Sequence, residues 1–173
     1  LHLAADGLGT LSGTLADGTA FSQTAWLTAE GDWPLYVSLY AGKGVLVSWM
    51  TFVDQVNSDV NGPAVWIKHA GASAASYPAG FTNDTKAVGS LYVAPTGANK
   101  AVNLSSASVS FTGGNLPVDF SNTVSVNAGS QVVNLSPNAL AFTIATTLGS
   151  FSGQVTEPGT GLAYPFSGVV LQK

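Results

Sequence analysis

The stretch "GDWPLYVSLYAGKGVLVSWMTF", residues 31–52, decides the fold class of this chain. Apolar and polar residues alternate on both sides of Gly42-Lys43, and side chains of a strand alternate between its two faces. The stretch therefore reads as an antiparallel hairpin. Gly at the first central position suits a two-residue type II′ turn. That turn would pair Ala41 with Gly44, Tyr36 with Trp49 and Trp33 with Phe52. One face then carries Trp33, Leu35, Val37, Leu39, Leu46, Met50 and Phe52, which is core chemistry. The other carries Tyr36, Tyr40, Val45, Val47 and Trp49, with Ser38 among them. A slip of one residue in the turn would exchange the two faces.

Working outward, the same alternation recurs in "GTLSGTL", "TAFSQTAWL", "ASVSF", "ALAFTIA", "GSFSGQV" and "AYPFSGVVL". Turn-forming clusters such as "ADG", "SDVNGP", "TGGN" and "EPGTG" separate these runs. Regularly spaced short strands of this kind predict an all-β antiparallel fold, a single-domain barrel or sandwich built from hairpins over residues 1–173. Residues 68–84, rich in Gly, Ala and Ser, read as a long loop with at most one helical turn. There is one internal echo. "GTLSGTL" (9–15) and "GSFSGQV" (149–155) share a pattern, and each precedes a Gly turn and a second strand.

Composition narrows the function. Charged residues make up only 8% of the chain, against roughly 25% in ordinary soluble domains. Polarity must come from Ser, Thr, Asn and Gly, a surface suited to polyhydroxyl ligands. There is no Arg, the five Lys are scattered, and the net charge is −4. Phosphate backbones require clustered cations, so nucleic acid is excluded as a partner, and anionic membrane surfaces with it. No apolar run is long enough to span a bilayer. The absence of Cys removes disulfides, thiolate metal sites and a Cys nucleophile. The opening "LHLAADG" is read as part of a longer, secreted polypeptide, which predicts an extracellular location.

Candidate ligand-binding residues follow from the aromatic face. Flat rings offer stacking surfaces to the axial C–H groups of sugars, and neighbouring hydroxyls can bond the sugar edges. Trp49, Tyr36 and Tyr40 form the predicted row, with Ser38 beside them and Trp66 and Trp26 as further candidates. The expectation is a non-catalytic carbohydrate-binding module for plant-type polysaccharide of the β-glucan or cellulose kind. The alternative is a structural spacer or adhesion module whose aromatic face is covered by another sheet.

An enzyme is the lesser reading. Glycoside hydrolysis needs two carboxylates flanking the bond, and the only two Glu are Glu30 and Glu157. These and Asp32 are read as turn formers. His2 and His69 have no Ser and acid arranged as a triad. No cofactor is expected. "NSDVNG" (57–62) places Asn57, Asp59 and Asn61 with the spacing that opens a calcium loop. Asn57 replaces the leading Asp and Lys68 stands where the closing Glu belongs, so a plain turn is the preferred reading.

The phrases "DGTAFSQTAWL", "GDWPLYVSLYAGKGVLVSWMTF", "GPAVWIK", "YPAGFTNDTKAVGSLYVAP" and "GSFSGQVTEPGTGLAYPFSGVVLQK" occur together and in this order. In this the chain resembles a β-rich module near the C-terminus of large secreted multidomain proteins of environmental bacteria. The resemblance implies a β fold and a parent multidomain protein, and it implies no activity. Such modules often have a basic residue before the position of Tyr92, where this chain reads "SLY".

Overall fold

The structure is a computed structural model that describes residues 1–72, 77–114 and 116–173. Among these residues it is all-β, with thirteen strands in four antiparallel sheets. The sequence reading set no boundary inside 1–173, whereas the contacts divide the chain into two compact units. One comprises Leu1–Ser90 with Lys173, the other Leu91–Gln172. No sheet closes into a barrel among the described residues.

In the first unit, β1 (His2–Leu3), β2 (Leu8–Thr14) and β3 (Ala20–Trp26) form a three-stranded sheet. A second sheet is a meander of β4 (Asp32–Leu39), β5 (Gly44–Gln55), β6 (Ser58–Lys68) and β7 (Phe81–Gly89). The loop predicted over 68–84 is therefore shorter: Lys68 closes β6 and residues 81–84 open β7, while 73–76 lie outside the described residues. Trp33, Leu35, Leu39, Leu46, Met50 and Trp66 are buried together. Leu11, Phe21 and Ala25 from the first sheet pack onto them, which makes the unit sandwich-like. Each such large side chain contributes about 1.5–3 kcal/mol on burial. A slip of one residue would expose all of those on the slipped strand, so the hydrophobic pattern fixes the faces.

The edge of β4 is covered in an unusual way. Pro34 has no N–H to donate, and an edge strand is where proline is tolerated. The Gln23 side-chain amide spans this edge. Its Nε2 donates to the Pro34 carbonyl at 2.8 Å and its Oε1 accepts the Tyr36 N–H. One side chain thus stands in for a strand residue and ties β3 to β4.

The second unit holds β8 (Ser106–Phe111), β9 (Phe120–Val126) and β10 (Val132–Asn134) in the order β10-β9-β8. Beside them β11 (Leu140–Ala145), β12 (Ser150–Thr156) and β13 (Ala163–Val169) form a meander. Phe111 of β8 meets Phe166 of β13 edge to face at 5.3 Å, joining the two sheets. Asn122, fully buried, bonds Asn134 and Asn138, and Asn138 donates on to the Thr156 carbonyl. The echo noted in the sequence has a structural counterpart. Gly13 pairs with Phe21 in one hairpin and Gly153 with Phe166 in the other, each ring lying against the glycine.

Candidate functional site

The hairpin of residues 31–52 forms with a different register from the one expected. Leu39 pairs with Gly44, Tyr36 with Val47, Pro34 with Trp49 and Trp33 with Met50. The expected two-residue Gly42-Lys43 turn is replaced by a four-residue connection. Tyr40, Ala41 and Gly42 all adopt positive φ (53°, 54° and 87°), and Lys43 N–H donates to the Tyr40 carbonyl at 3.2 Å. The register moves by two residues, an even number, so every strand residue keeps its expected face.

Tyr40 does not, because it has left the strand. Its hydroxyl donates to Asp17 Oδ2 at 2.6 Å and accepts from Trp66 Nε1 at 3.1 Å. Gly44 makes room for the ring, since a Cβ there would lie 2.5 Å from it. Trp66 itself is 9% exposed and belongs to the core, edge-to-face with Phe81 at 4.7 Å. Tyr40 therefore leaves the aromatic face expected for it, and Trp66, a further candidate for ligand binding, is not exposed to a ligand on that face.

Tyr36 and Trp49 do reach it, at 66% and 58% exposure. They sit diagonally across β4 and β5, a separation of about 7–8 Å between such positions. An open cleft of ≈ 430 Å³ lies between them, lined by Pro34, Tyr36, Val47, Trp49, Pro63 and Val65. Pro63 and Val65 were not foreseen. Alternation in "GPAVWIK" places them opposite Ala64 and Trp66, so once Trp66 is inward they must face outward.

Polar side chains surround this apolar floor. Ser38 is exposed two residues beyond Tyr36 on the same face. Pro63 pairs with Lys86 and Val65 with Asp84, both exposed on β7. At the Trp49 end, Thr51 pairs with Asp32 and its Oγ1 donates to Asp32 Oδ1 at 2.7 Å. Asn61 faces Thr51 from β6. The result is two exposed rings over an apolar floor with hydrogen-bonding groups on its rim. Trp26, 60% exposed, pairs with Leu8 and projects from the outer face of the other sheet, away from this cleft.

A second cluster, buried, lies at the end of the same hairpin. Lys68 Nζ approaches Asp17 Oδ2 at 3.2 Å, with side-chain exposures of 0% and 2%. The ammonium also sits 4.8 Å above the Tyr40 ring centroid. Burial alone would push the Asp17 carboxyl up, but hydrogen bonds from Tyr40, Thr19 and Lys68 outweigh it and hold it at about 2. Burial, and then the bond to Asp17, push the Tyr40 phenol up.

The segment with calcium-loop spacing is a tight hairpin turn. Gln55 pairs with Ser58 across it, which leaves Asn57 in the turn and Asp59 and Asn61 on β6. Asp59 and Asp54 both pair with the Lys173 ammonium, while Asn61 Nδ2 donates to Gln55 Oε1 at 3.3 Å. The segment is thus the plain turn preferred from the sequence, running directly into β6. Glu157 is a buried acid held by its own turn. It accepts the Gly159 N–H at 2.8 Å and both the N–H and hydroxyl of Thr160. No helix among the described residues is long and apolar enough to cross a membrane. Comparison of the chain with protein-family models, with curated proteins and with solved structures returns no match.

Proposed function

We propose that the first unit is a non-catalytic carbohydrate-binding module that takes plant-type polysaccharide of the β-glucan or cellulose kind. It would act outside the cell as an accessory to a longer protein. The observation that carries this reading is the pair of exposed rings, Tyr36 and Trp49, over one apolar cleft. Two large aromatic side chains left in water on one sheet face forgo several kcal/mol of burial, which favours a ligand that covers them. The flanking Ser38, Thr51, Asn61, Asp84 and Lys86 supply donors and acceptors for ring hydroxyls. With two rings and an open cleft, binding is shallow, in the micromolar to millimolar range of about −8 to −4 kcal/mol.

Affinity electrophoresis through mixed-linkage glucan and xylan, with pull-down on cellulose, tests the proposal. The wild-type chain should be retained on at least one of them. Trp49→Ala and Tyr36→Ala should each weaken retention about tenfold, equivalent to roughly 1.4 kcal/mol, while Trp26→Ala leaves it unchanged. Equal retention of Trp49→Ala and wild type would end the proposal. No retention on any polysaccharide would return the chain to the spacer or adhesion reading.

A further inference from the structure

We propose that Lys68 and Asp17 are the two ends of an internal amide crosslink, formed by condensation of the lysine amine with the aspartyl carboxyl. The two groups touch at 3.2 Å and are shut away from solvent, at 0% and 2% exposure. Removing an ion pair from water costs several kcal/mol per ion, and apolar residues of similar volume usually serve a core better. A Lys–Asp pair in this core therefore calls for a chemical reason. The surroundings supply one, because each carboxyl oxygen already faces a donor. Thr19 N–H donates to Oδ1 at 3.0 Å, and the Tyr40 hydroxyl donates to Oδ2 at 2.6 Å. Trp66 Nε1 holds that hydroxyl in place at 3.1 Å.

The backbone points the same way. Tyr40 and Ala41 are non-glycine residues in the left-handed region, at a cost of about 1–2 kcal/mol each. Strain of this kind collects where a side chain must be aimed, and here it turns the Tyr40 hydroxyl onto Asp17. The bond would join the β2–β3 turn to the end of β6 across 51 residues. That ties together the two sheets of the first unit in a chain with no Cys to do so.

The step balances within the cluster. A proton passes from Lys68 Nζ to Asp17 Oδ2, converting the ion pair into amine and acid. The amine lone pair attacks Cγ, the C–N bond forms, and the carbonyl electron pair moves onto Oδ1, held by the Thr19 N–H. Such preorganised donors to a developing oxyanion are a strong source of rate. The surplus amine proton passes through the Tyr40 hydroxyl to Oδ2, the C–Oδ2 bond breaks and water leaves. The carbonyl then re-forms at Oδ1, and the net change is loss of one water. Exclusion of solvent from the site protects the amide from hydrolysis.

Intact-mass measurement of the purified folded chain is the test. The expected result is a mass below that of the sequence by one water, with a branched peptide joining residues 17 and 68 in a proteolytic digest. Lys68→Met and Asp17→Ala should return to the full mass of their sequences. A wild-type chain that stays at full mass after prolonged incubation overturns the proposal. So does a deficit that persists in Lys68→Met, because Asp17-Gly18 can also lose water by closing to a cyclic imide. Tyr40→Phe, which keeps the ring, should slow closure by about 100-fold or more, as expected on removing a proton-transfer group. An unchanged rate would overturn the role given to its hydroxyl.

Discussion

Gly9 lies under the Trp33 indole, and a Cβ added there would meet Nε1 at 2.3 Å. The same Nε1 donates to the Ala25 carbonyl at 2.9 Å, so the indole cannot move without leaving a buried donor unpaired. Gly9→Ala should therefore lower the stability of the first unit by about 1–3 kcal/mol, the usual range for overpacking. Urea titration followed by tryptophan fluorescence measures this, and an unchanged midpoint would show that Trp33 has room to shift. Tyr40 shows the limits of pattern at the same scale. Alternation assigns it to the outer face, but a hydroxyl with a buried carboxylate and an indole N–H as partners is drawn inward. No spacing in "SLYAGKG" reveals partners that lie at positions 17 and 66.

At the scale of an element, the β12–β13 hairpin is closed by the Glu157 carboxylate. Bonds from the Thr160 side chain and then the Gly159 and Thr160 N–H groups hold its pKa below the usual glutamate value. A carboxylate depressed in the folded state stabilises above its unfolded pKa, and that stability is lost as pH falls through the folded value. The urea midpoint of the wild-type chain should thus fall as the solution is acidified below the ordinary glutamate range of about 4.3. Glu157→Gln should start lower at neutral pH and lose less on acidification. Parallel pH profiles for the two chains would count against this role. The β4–β5 hairpin teaches a related lesson. Its turn departs from the expected type II′ because three successive positive-φ residues, two of them not glycine, go with the tertiary contacts of Tyr40 and not with local preference.

Over the whole molecule, low charge density makes a prediction about how the cleft binds. The chain carries net charge −4 on 173 residues, and apolar side chains line the cleft floor. Retention on glucan should change by less than about twofold between dilute buffer and 1 M sodium chloride, where the screening length shrinks to about 3 Å. A steep loss of retention with salt would instead mark Asp84, Lys86 or Asp32 as the main contacts.

The alternation of "PLYVSLY" and "GVLVSWMTF" determined by itself that the chain is all-β, which face of β4 and β5 is core, and that Tyr36 and Trp49 share the opposite face. It could do so because a period of two survives any even shift in register. Only the tertiary structure decided the pairing partners, the inward turn of Tyr40 and the burial of Trp66. It alone placed the boundary at Ser90–Leu91 and the meeting of Lys68 with Asp17. Each of these depends on contacts between residues far apart in the chain, and a local pattern carries no record of such contacts.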